Sequence, residues 1–91
     1  MDIFTKPDTA KWDYDVDFSR FLSDGDTITE ATAVVLEADS MVSIPLVTVQ
    51  PDTVKVWLVD GVAGKTATIE VTATTQFGRI DPVKFKVRIK D

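Results

Sequence analysis

Two features of this chain have residue types and spacing that could do chemistry: the aspartates Asp13, Asp15 and Asp17, and the tripeptide Gly64-Lys65-Thr66. A phosphate-binding loop needs a glycine five residues before the Gly of Gly-Lys-Thr, and that position holds Val59. It also needs a helix next, whose amide dipoles hold the phosphates. Thr66 to Thr75 alternates polar and apolar as a strand does, so Gly64-Lys65-Thr66 is expected to be a hairpin turn. The three aspartates fall on one face of a strand, with neighbours roughly 6.5–7 Å apart. Calcium needs more ligands, converging from a loop. Asp24-Gly25-Asp26 offers turn residues but no EF-hand pattern. A glycosidase pair needs two carboxylates facing each other across a cleft, which one strand does not make.

The chain has no histidine and no cysteine. That removes the usual proton shuttle, the Ser-His and Cys-His nucleophile pairs, and the commonest zinc ligands. No catalytic residue, cofactor site or metal site is therefore expected, and the chain is read as a non-enzyme.

Ninety-one residues suit one domain near the lower size at which a hydrophobic core suffices alone. Apolar residues form 44% of the chain, enough for such a core, but no disulfide can supplement it. Stability must come from packed sheets, helped by neighbouring subunits where these exist. The net charge of −5 opposes binding to phosphate backbones, so no nucleic-acid partner is expected. Met1-Asp-Ile-Phe-Thr-Lys-Pro7 lacks the basic and apolar parts of a signal peptide, and no stretch approaches a membrane span. A protein kept in a cytosol, or assembled there into something larger, is the expectation.

The elements that must position any site are strands. Residues 1–11, interrupted by Pro7, show no periodicity and are read as an extended arm, frayed or ordered on a neighbour. Residues 12–91 are read as one β-sandwich. Trp12, Tyr14, Val16 and Phe18 alternate with the aspartates. One helical turn over Ser19 to Leu22 and a turn at Asp24-Gly25-Asp26 follow. Thr27 to Glu37 and Met41 to Val49 are β-rich, and Pro45 marks the second as an edge strand or bulge. Val54 to Val59 is a short strand with Trp57 on the face opposite Val54, Val56 and Leu58. In the last two strands, Ala67, Ile69, Val71 and Ala73, then Val83, Phe85, Val87 and Ile89, face the core. Six to seven short strands with regular turn signals predict an all-β, immunoglobulin-like antiparallel sandwich.

If the first and last strands were neighbours, Asp13, Asp15 and Asp17 could complement Lys84, Lys86 and Arg88 and fix the register. Candidate partner-binding residues are Phe77 at a loop tip, Arg79 beside it, Trp57, and Phe4 in the arm. Large aromatics left at turns or outer faces gain most when a partner covers them.

Two blocks carry a family resemblance. The first is Asp13-Tyr-Asp-Val-Asp-Phe-Ser-Arg-Phe-Leu22 followed by Gly25-Asp-Thr-Ile28; the second is Val56-Trp-Leu58, Gly61, Gly64, the Thr-rich strand to Thr75, and Gly78-Arg79. Together, over about residues 12 to 90, they resemble small bacteriophage tail proteins of the fiber-tail adaptor family. Asp60-Gly61 departs from the Gly-Gly pair more usual there, and Met41 to Val49 is more apolar. The resemblance implies an immunoglobulin-like virion protein without enzymatic activity, joining tail and tail fibre. Several copies in a ring or other symmetric assembly are the expectation, with tail and fibre proteins as partners. A capsid decoration protein is the alternative, with a carbohydrate-binding module behind it; the latter needs a row of exposed aromatics, and the chain has only two Trp, one Tyr and five Phe.

Overall fold

The computed structural model describes residues 2–91. Seven strands are present: β1 Asp2–Pro7, β2 Trp12–Asp17, β3 Ile28–Val35, β4 Val42–Val49, β5 Thr53–Asp60, β6 Thr66–Thr75 and β7 Ile80–Lys90. Single 3-10 turns lie at Ser19–Phe21 and Ala38–Ser40. The strands form two sheets, ordered β1-β7-β6-β3 and β2-β5-β4. This is the immunoglobulin arrangement, in which β2, β5 and β4 take the places of strands B, E and D, and β3, β6 and β7 those of C, F and G. The first strand has joined the edge of β7.

Alternation places the core as the sequence predicts. Phe18, Val54, Val56 and Leu58 from one sheet meet Ile69, Val71, Phe85, Val87 and Ile89 from the other, all essentially inaccessible to water. Burial on this scale is the main driving force of the fold. Pro45 sits on the edge strand β4, and the β4–β5 register shifts between Ser43 and Leu46. Both consequences expected of that proline are thus present.

Three expectations are corrected. Six of the strands pair antiparallel, but β1 runs parallel to β7, with Phe4 opposite Val87 and Lys6 opposite Ile89. The expected arm is for its first part an integral strand of the four-stranded sheet. Its inward positions are Phe4 and Lys6, and Lys6 is fully buried. The Lys6 ammonium donates to the carbonyl oxygens of Pro7 and Asp60 at 2.8 and 2.7 Å, tying β1 to the end of β5. Secondly, Gly64-Lys65-Thr66 is not a hairpin turn. It lies where the chain crosses from β5 in one sheet to β6 in the other, held by Gly64 N–H on the Ile89 carbonyl at 2.9 Å.

Thirdly, β2 pairs with β5, not with β7, so Asp13, Asp15 and Asp17 are in the other sheet from Lys84, Lys86 and Arg88, and only Asp15, Asp17 and Lys84 border a common cleft, at the flank. Their cationic neighbour is Lys55, whose ammonium lies 3.3 Å from Asp13 and 4.0 Å from Asp15. The physical reason is the N-terminal strand: β1 occupies the edge of β7 that the three aspartates would have needed.

Candidate docking site

The end of the sandwich formed by the β2–β3 connection and the β6–β7 hairpin presents apolar side chains on a stiff backbone. Phe18 to Phe21 closes a 3-10 turn through Phe21 N–H on the Phe18 carbonyl at 2.9 Å. Asp17 caps this turn, its Oδ1 accepting from Ser19 N–H at 2.8 Å. That backbone hydrogen bond, and a second from the Ser19 side chain, hold the Asp17 carboxyl below its ordinary pKa. Asp26 is buried, and its Oδ1 accepts from the N–H groups of Thr27 and Phe77 at 2.9 and 3.1 Å. One carboxylate thus joins the two loops. Gln76 N–H on the Thr27 carbonyl at 2.8 Å adds a second link.

Phe77 is 58% exposed although its backbone is fixed at this point. Gly78, at φ 90°, makes the tight turn behind it, a conformation that costs glycine little. A Cβ on Gly25 would meet only the Phe77 ring edge, at 4.0 Å, so the ring lies over the glycine. Arg79 is spent on order: Nη1 donates to the Phe21 carbonyl at 2.6 Å and to Ser23 Oγ at 3.3 Å. Its guanidinium latches the β2–β3 connection to the hairpin and so positions Phe21 and Phe77.

Two further side chains contribute to this end. Ile80 is 66% exposed and Phe21 40% exposed at this same end. The signal for Ile80 was available, because it shares the outward parity of Lys84, Lys86 and Arg88 on β7. Phe21 lies in a one-turn helix, where alternation says nothing.

Phe4 and Trp57 lie elsewhere. The Phe4 ring packs against Tyr14 and Phe85, with centroids 5.3 and 5.8 Å away, and closes the flank between β1 and β2. Tyr14 donates its hydroxyl to the Thr5 carbonyl at 3.1 Å, and burial, then the charge of Asp13, raises its pKa. A cleft of about 210 Å³ runs along this flank, lined by Phe4, Tyr14, Val16, Phe21, Val83 and Phe85 among others. Trp57 stands half-buried on the outer face of the three-stranded sheet, between Asp13 and Leu46, with the Lys11 ammonium 5.6 Å from its ring centroid. Such a cation–π contact contributes about 0.5–1 kcal/mol at an exposed site. The four residues singled out from the sequence are therefore not one site. Phe77 and Arg79 share the loop end, while Phe4 and Trp57 occupy a flank and a face.

Fold and loop end together define a small all-β sandwich with large apolar side chains exposed at one end. Residues 6–88 match the family model of the podophage GP4 fiber-tail adaptor protein gp77, and the chain belongs to that family. The family is one of structural phage fiber-tail adaptors, components of the virion tail. No curated protein matches the chain.

Proposed function

We propose that this chain acts without catalysis, as a tail adaptor that docks a tail component at one surface and a tail fibre at another. The observation that carries this reading is the ordered, apolar loop end within a chain of the adaptor family. Phe77, Ile80 and Phe21 expose large apolar surfaces there, on a backbone fixed by Asp26 and Arg79. Rigid aromatic anchors are what binding hot spots are made of, because little conformational entropy remains to be lost on docking. Several copies act together in a symmetric assembly on the tail, put together in the host cytoplasm.

The reading is tested by measuring binding of the purified chain to the tail and fibre proteins of its own phage. The double substitution Phe77→Ser with Ile80→Ser should abolish binding to one of the two while leaving the melting temperature in place. Unchanged binding to both would contradict the role given to the loop end.

A further inference from the structure

The two outer faces of the sandwich carry matching patterns of opposite sign. On the three-stranded sheet, β2 presents the stripe Asp13, Asp15 and Asp17, and the next two strands present Trp57, Val59 and Leu46. Leu46 is 50% exposed. On the four-stranded sheet, β7 presents the stripe Lys84, Lys86 and Arg88. Two strands away lie Val34, on β3, and Leu36, just beyond it, 49% and 50% exposed. Strands repeat about every 4.8 Å across a sheet, so Leu46 lies about 10 Å from the acidic stripe, with Trp57 on the strand between, and Val34 and Leu36 lie about 10 Å from the basic one. Charges within both stripes repeat at every second residue and so share one spacing.

The stripes differ in how far they are neutralised internally. Lys84 reaches Glu70 at 3.9 Å, but Lys86 and Arg88 form no salt bridge among the described residues. On the acidic face, Lys55 is shared by two carboxylates. One chain therefore carries both halves of a complementary contact, on opposite sides.

We propose that copies of this chain stack head to tail, the acidic face of one on the basic face of the next. Carboxylates then meet Lys86 and Arg88, and the Trp57–Leu46 patch meets Val34 and Leu36. Such a contact is heterologous: it closes into a ring if the rotation per copy permits and runs on as a filament if it does not. The inference rests on the several-copies part of the proposed function, and not on which tail and fibre proteins are bound.

Sedimentation velocity on the purified full chain tests it. At 0.01 M salt, where the screening length is about 30 Å, the average sedimentation coefficient should rise with protein concentration. At 1 M, where that length is about 3 Å, the rise should be mostly lost. Asp13→Lys with Asp15→Lys should abolish association, and so should Lys86→Glu with Arg88→Glu. An equimolar mixture of the two double variants should regain it. Asp15→Asn, which keeps the side-chain shape, should weaken association less than the reversal. Thermal melts establish that each variant is folded, and the loop-end variant Phe77→Ser/Ile80→Ser should associate like the wild type, which separates this contact from fibre or tail docking. A wild-type chain that stays monomeric at low salt would overturn the proposal. So would folded double variants that associate unaided, or fail to associate when mixed.

Discussion

At one end of the sandwich, where β5 crosses to β6, polar groups are buried; at the other, where β6 turns into β7, apolar groups are exposed. The crossover end holds Lys6 with no accessible surface, its ammonium satisfied by the Pro7 and Asp60 carbonyls. Burial lowers the Lys6 pKa, while the charges of Asp60 and Asp8 oppose the shift. Ser40 is buried there too, donating to the Glu37 carbonyl and accepting Val42 N–H. At the hairpin end, Phe77 and Ile80 stand in solvent over a turn in which every N–H from Thr75 to Arg79 is hydrogen-bonded. The contrast separates two tasks. Buried polar ties fix a terminal strand and a crossover, whereas exposed apolar groups gain free energy only when a partner covers them.

The contrast is broken most severely at Lys6. Lys6→Ala removes the ammonium from the Asp60 carbonyl, leaves the Pro7 carbonyl with Ala10 N–H alone, and opens a cavity beneath β1, which should cost about 2–4 kcal/mol. For a domain of this size that lowers the melting temperature by at least about 10 °C, read by circular dichroism. Gly61 comes next. At φ 123°, with Ile89 and Val42 carbons 3.1 Å from where a Cβ would stand, Gly61→Ala combines backbone strain with a clash. A loss of about 1–3 kcal/mol should appear in urea unfolding, with the slope unchanged.

A smaller effect concerns pH. Glu37 accepts Thr68 N–H and Thr68 Oγ–H, both at 2.7 Å, and these bonds hold its carboxyl below the ordinary pKa. A depressed folded-state pKa gives stability that is fully present above the unfolded value and is lost as pH falls through the folded one. Glu37→Gln should therefore flatten the acid side of the stability–pH curve and leave its neutral side nearly parallel to the wild type. The smallest effect belongs to the other end. Phe77→Ser should change stability by less than about 0.5–1 kcal/mol, because more than half of that residue is exposed.

Strand character was legible wherever side chains alternate against a core. The strands carrying Val54 to Leu58, Ala67 to Ala73 and Phe85 to Ile89 face inward as their spacing says. Strand β1 was illegible for a physical reason. Its inward position 6 is a lysine and its outward position 3 is an isoleucine, 68% exposed, so the polarity of the pattern is inverted. Nothing local announces that a lysine will find two carbonyls, one of them 54 residues away. The neighbour relations of β2 were lost for the same cause, since β1 takes the edge of β7. At the loop end, Phe77 beside Gly78 stood out as an uncovered aromatic. The latch formed by Arg79 depends on a connection 56 to 58 residues distant, which no local spacing encodes.

Placing a photo-crosslinking residue at position 77 in the assembled particle tests the account most directly. The expected product joins this chain to a tail or fibre protein, and the same residue at Thr48, on the outer face of β4, joins it to a second copy instead. A position-77 product containing only the major capsid protein, or none at all in intact particles, would contradict it.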